Sequence, residues 1–165
     1  MSRTLILTRH GKSDWGGTED DFDRALAPRG ERSAAALGTW LAEEGLRPNT
    51  ALVSSARRTV ETYAGIAAAL GEAPEPALKD NLYHAAPFTI LDEVRKAEGE
   101  TVLLVGHNPG IAMAAAALVS AAPDHPRFDD YPTGATTVIR FDIDDWRDLA
   151  EGTGTVAAFV IPREL

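Results

Sequence analysis

The chain has 165 residues, 44% of them apolar and 25% charged, enough for one domain with a substantial hydrophobic core. A formal net charge of -9 argues against a broad basic surface for nucleic acid or anionic lipid and leaves room only for a local basic pocket. There are no cysteines, which excludes disulfides, thiolate metal sites and a cysteine nucleophile.

In chain order, Thr4 to Thr8 is a β-branched and leucine-rich run ending at Arg9. This is the pattern of a buried parallel strand whose carboxyl end opens into a loop, and it sets His10 at the strand tip. Gly16 to Ala27 is rich in Gly and Asp and reads as a loop, with the acidic run "EDDFD", Glu19 to Asp23, solvated on it. Pro28 to Gly45 has Pro at its start, Ala34, Leu37, Trp40 and Leu41 on one stripe, and Gly at its end, the signature of an amphipathic helix. Thr50 to Ser54 is a second strand, followed by a helix from Ala56 to Leu70 with a serine of Ser54-Ser55 as its expected cap. Arg57 and Arg58 fall in that helix's first turn.

Gly71 to Asn81 holds two prolines and no periodicity, Phe88 to Glu98 returns to helical spacing, and Thr101 to Val105 is an apolar strand leading into "GHNPG". Pro109 suits the first turn of a helix, and Ile111 to Ala122 is alanine-rich and helical. Ala135 to Asp142 and Thr155 to Ile161 read as two further strands. The alternation predicts a three-layer α/β/α sandwich around a central, mostly parallel mixed sheet, with residues 1–165 as a single domain. No apolar window approaches the roughly 18 residues of a membrane span, and the run in "MSRTLILTRHG" is too short for a signal peptide. The expectation is a cytoplasmic protein with neither membrane nor nucleic acid as partner.

Ligands of open α/β sheets gather beyond the carboxyl ends of the strands, which brings Arg9 and His10, Ser54 to Arg58, and Gly106 to Asn108 to one place. Two histidines and at least two arginines there make an anion site with a nucleophile or acid/base group inside it, and tetrahedral phosphate suits the guanidinium forks. Gly11-Lys12-Ser13 is not the tail of a nucleotide-binding loop, because that motif needs Gly where Ile6 stands. His10 and His107 lack metal-ligand spacing and a third ligand, and no G-x-S-x-G occurs, so neither a zinc site nor a serine hydrolase is indicated.

"TRHGKSDW", "SSARRTVET" and "LVGHNPGI", with "NLYHA" and "YPTGATTVIRFD", resemble the histidine phosphatase superfamily, the phosphoglycerate-mutase-like proteins, and most closely its compact SixA-like phosphohistidine phosphatases. The resemblance implies the phosphoglycerate-mutase-like fold, no metal or cofactor, and a phosphorylated substrate. It makes His10 the nucleophile, Arg9 and Arg58 the phosphate-holding arginines, and His107 the second histidine of the pocket. Thr62, four positions on, selects Arg58 over Arg57, which is expected to be solvated. Ser13 and Asn108 stand where they could touch phosphate.

Relatives acting on phosphate esters supply a carboxylic acid to protonate the leaving oxygen, and the nearest residue here is Asp80, in "LKDNLY". A phosphohistidine P–N bond releases an imidazole, a far better leaving group, so an uncertain acid favours a P–N substrate. The short connection between the second helix and "TVLLVG" has no room for a folded lid, which leaves the pocket open to phosphohistidine on another protein. The alternatives are hydrolysis of small phosphate monoesters and a catalytically silent phosphoprotein-binding module. His84 and His125 are expected to be packed or exposed, and Trp15 to lie near the mouth.

Overall fold

The computed structural model describes residues 2–165. Six strands, β1 (Arg3–Arg9), β2 (Thr50–Ser54), β3 (Pro76–Lys79), β4 (Thr101–Gly106), β5 (Thr136–Phe141) and β6 (Thr155–Val160), form one sheet in the order β3-β2-β4-β1-β5-β6. The first four are mutually parallel, whereas β5 runs antiparallel to β1 and β6 antiparallel to β5. Four helices cover it: α1 (Pro28–Glu43), α2 (Arg57–Leu70), α3 (Pro87–Arg95) and α4 (Gly110–Leu118).

The strand residues alternate between two cores, as the pleat requires. Leu5, Leu7, Val102 and Leu104 face α3 and α4, while Ile6, Val53, Leu103 and Val105 face α1 and α2. Burial on both faces explains why β1 and β4 read as unbroken apolar runs. The predicted three-layer sandwich and mixed sheet are observed.

Three local expectations need correction. β3 was hidden by its prolines. Pro76 is tolerated because it opens an edge strand, where a missing N–H costs no ladder bond. The Ser cap of α2 is absent: Ala56 holds the cap position, and the Ser54 hydroxyl bonds His107 instead. The alanine-rich helix stops at Leu118, because the chain turns out at Val119 to bridge Gly154.

β1 and β4 are neighbours with Arg9 in register with Gly106, so His10 and His107 leave adjacent strand tips side by side. The chain leaves β1 toward α1 and β2, but leaves β4 through α4 toward β5 on the other side. That divergence opens the crevice in which α/β sheets bind ligands. Among the described residues no helix is long and apolar enough to cross a membrane.

The α1 and α2 backbones touch at Gly38, where a Cβ would lie 2.4 Å from the Ile66 carbonyl oxygen and 2.7 Å from Ala69 Cβ. Gly38→Ala should therefore lower stability by about 1–3 kcal/mol through overpacking, read as a fall in the urea midpoint. An unchanged midpoint would show that the two helices are not held at this spacing.

Candidate active site

Beyond the tips of β1, β2 and β4 lies a pocket of about 420 Å³ whose lining includes Arg9, His10, Arg58, His107 and Asn108. Thr62 explains why the arginine and threonine are four apart. On adjacent turns of α2, its hydroxyl donates to the Arg58 carbonyl at 2.7 Å and accepts the Gly11 amide at 3.0 Å, tying the loop after His10 to the helix that carries Arg58. Gly11 has no room for a side chain, since a Cβ would stand 2.9 Å from the Gly30 carbonyl oxygen.

The imidazole tautomers follow from their partners. His10 Nδ1 lies 2.7 Å from the Gly11 carbonyl, which can only accept, so Nδ1 carries the proton and Nε2 keeps its lone pair. Arg58 Nε donates toward that Nε2 at 3.4 Å. His107 mirrors the arrangement: Nδ1 accepts from Arg58 Nη2 at 3.4 Å, and Nε2 donates to the Ser54 hydroxyl at 2.8 Å. Burial lowers His10 to about 4; the Gly11 carbonyl opposes this, and the charges of Arg9, Arg58 and Arg24 add to it. Burial likewise lowers His107 to about 3, reinforced by His10 and Arg58. Both rings are neutral at pH 7, 5.3 Å apart between centroids, and Nε2 of His10 is a competent nucleophile in a cationic setting.

Arg9 donates from Nη1 to the Tyr131 carbonyl at 3.1 Å, while its Nε is buried without a partner. Asn108 lines the pocket, but its Nδ2 donates to the Asp130 and Tyr131 carbonyls at 2.9 and 3.0 Å. Ser13 is buried in the lining with its hydroxyl accepting from Arg24 Nη1. Asp80 is not brought to the site. It is exposed and absent from the lining, because the turn Asp80–Leu82 directs the following Tyr83 inward instead. Arg57 is half exposed and pairs with Glu61 at 3.1 Å, and His125 pairs with Glu164 at 2.9 Å outside this pocket.

The acidic run expected to be solvated contributes a central group. Asp21 accepts from Tyr83 Oη, from Arg24 Nε and Nη2 at 3.2 and 3.0 Å, and from Arg58 Nη2 at 3.1 Å. The Tyr83 hydrogen bond, followed by those of Arg24 and Arg58, holds its carboxyl far below the ordinary carboxylate range. Arg24 in turn stacks its guanidinium 3.5 Å from the centroid of Trp15 at the mouth. His84 also belongs here: it lines the pocket with Nε2 3.3 Å from Asp21 Oδ2, on a backbone with φ of 54°. Among the described residues Tyr131 is the other non-glycine one with positive φ, at 49°, and its carbonyl holds Arg9 and Asn108, so both lie at this site, where strained backbone commonly gathers. Nothing local in "DDFDR" marks Asp21 or Arg24, because the pairing that lets Arg24 be buried forms only when the loop folds over the pocket. Among the described residues, no group of three or more His, Cys, Asp or Glu is arranged to hold a metal ion.

A profile of the histidine phosphatase superfamily (branch 1) matches residues 5–83. An uncharacterised protein of Mycobacterium tuberculosis is 34% identical over 164 residues, spanning 94% of this chain and 99% of its own length. A solved structure from Nakamurella multipartitia, named as a candidate phosphohistidine phosphatase SixA, superposes with a TM-score of 0.84 at 31% identity, over 98% of this chain and 97% of that one. The protein histidine phosphatase SixA complexed with tungstate shares the fold at a TM-score of 0.75 and 18% identity, over 98% of each chain.

The lowered imidazoles set a pH dependence. The unfolded chain takes up these protons near the ordinary 6.5, the folded chain only near 4 and 3, so their contribution is fully present above pH 6.5 and is lost as pH falls through that window. Each ring removes on the order of 1 kcal/mol per pH unit there. The urea midpoint should fall between about pH 7 and about pH 5, and His107→Gln, which keeps a donor for Ser54, should retain roughly half of that slope. An equal slope in the variant would contradict the neutral, buried His107.

Proposed function

The chain belongs to the histidine phosphatase superfamily, and on that premise we propose that it moves the phosphoryl group of protein-borne phosphohistidine to water through His10. Nε2 of His10 attacks phosphorus in line as the substrate's P–N bond breaks, and the leaving ring departs as neutral imidazole once its other nitrogen carries a proton. Arg9 and Arg58 hold the phosphoryl oxygens, and His107, neutral in the free site, donates to them once the bound anion draws a proton onto it. Water then attacks the phosphoenzyme, giving inorganic phosphate and free His10.

The observation that carries the P–N substrate is the state of the pocket's carboxyl group. Among the described residues Asp21 is the sole acidic side chain in the lining, and its hydrogen bonds keep it ionised. An ester oxygen therefore finds no carboxylic acid to protonate it, whereas an imidazole leaving group has little need of one. The name of the Nakamurella relative agrees with this reading. A second reading, hydrolysis of small phosphate monoesters, draws on His84 as the proton donor to the leaving oxygen, since its ring lines the pocket with Nε2 3.3 Å from Asp21 Oδ2.

The test is phosphate release from a phosphohistidine-bearing protein in chelator-treated buffer, beside a panel of phosphate esters, using wild type, His10→Ala and His84→Asn. Phosphohistidine turnover should exceed ester turnover, fall by about three orders of magnitude in His10→Ala, and survive in His84→Asn. Ester turnover that dominates and collapses in His84→Asn would establish the second reading. Absence of any His10-dependent release would leave a binding module.

A further inference from the structure

A second cavity, about 450 Å³, opens beside the first and shares Lys12 and Thr133 with it. Among the described residues its lining contains Lys12, Arg29, Arg32, Arg127 and Arg163 and no carboxylate. Five of the chain's 16 basic residues thus converge on one hollow of a protein whose net charge is -9. Like charges gathered in this way repel one another, and the fold does little to neutralise them. Among the described residues, Lys12, Arg29 and Arg32 have no carboxylate partner, Arg163 has only the field of its neighbour Glu164, and Arg127 alone forms an ion pair, with Asp130 at 2.9 Å.

Helix stability does not account for the cluster either. Arg29 and Arg32 lie near the amino end of α1, where the helix dipole is already positive and a cation is unfavourable. The same dipole favours an anion. The opposite wall is apolar, with Pro132, Ile161 and Pro162, which lowers the local dielectric and strengthens the field inside the hollow. Lys12 is two residues beyond His10, and Thr133 precedes Gly134, whose amide donates to the His10 carbonyl at 2.9 Å. The wall between the two cavities is therefore built on the nucleophile's own backbone.

We propose that this cavity is a second anion subsite, which takes a carboxylate or phosphate group carried by the same substrate that presents its phosphoryl group to His10. The proposal rests on the phosphatase reading above and adds that the preferred substrate is polyanionic. On a protein substrate, the second anion is supplied by acidic side chains flanking the phosphorylated residue. On a small substrate, it is a second phosphate.

The test compares matched pairs differing only in the second anion: peptides with Glu or Gln flanking the phosphorylated residue, made with both phosphohistidine and phosphoserine, and a small bisphosphate against the corresponding monophosphate. Wild type is set against the double variant Arg29→Glu/Arg32→Glu, in which both altered residues are exposed and outside the catalytic pocket. For whichever linkage is turned over, wild type should favour the more anionic member by about tenfold in kcat/KM, with the preference fading at high salt. The double variant should lose or invert that preference while keeping its turnover of the less charged member. Preference confined to the peptides, or to the bisphosphate, supports the subsite and identifies which substrate supplies the anion. If no linkage is turned over, the phosphatase reading fails, and the same ratios are read as Kd values by calorimetry on His10→Ala. No preference in either readout, or one that persists in the double variant, would overturn the subsite.

Discussion

A permanently charged guanidinium that is only 3% exposed has to be satisfied from within, and the way Arg58 is satisfied shapes the whole site. Nη1 donates to the Asp21 carbonyl at 2.7 Å and Nη2 to its carboxylate, while Nε and Nη2 also point at the unprotonated nitrogens of His10 and His107. A cation fixed between two imidazoles disfavours protonation of either, and burial acts in the same direction. The lone pairs of both rings thus converge on donors suited to a tetrahedral anion, which is the chemistry a phosphoryl-transfer site needs before substrate arrives.

The remainder of the fold keeps that arrangement in place. Thr62 ties the His10 loop to α2, the Gly11 and Gly30 backbones come too close for side chains, and the buried Tyr131 hydroxyl anchors its segment to the Leu7 carbonyl at 2.7 Å. Arg9 and Asn108 both use the Tyr131 carbonyl, so one strained residue supports two strand tips. On the open side, Arg24 is held between Trp15 and Asp21, and Tyr83 and His84 reach the same carboxylate. The loop that looked solvated is the wall of the pocket.

Much of this was legible because local pattern and tertiary role coincide in the strands. β1, β2 and β4 are buried on both faces and read as apolar runs, and their tips carry Arg9, His10 and His107, while Arg58 opens the helix after β2. What stayed hidden depends on distant segments meeting. Asp21 meets Arg58 and Tyr83 across 37 and 62 residues, and nothing local separates its acidic run from a surface one. By sequence position Asp80 is the nearest acid, but the short turn that begins with it leaves its carboxylate in solvent. The cationic cavity was likewise invisible, since α1, the Arg127 segment and the carboxyl-terminal turn Pro162–Glu164 meet only in the folded chain.

All of this chemistry requires that His10 offer a neutral Nε2 before any substrate binds. Nitrogen-15 NMR of the His10 imidazole in the free protein tests it directly. The ring is expected to be protonated on Nδ1 and bare on Nε2, unchanged from about pH 8 down to about pH 5, because its pKa lies near 4. Titration centred near the ordinary 6.5, or a proton resident on Nε2 at neutral pH, would contradict it.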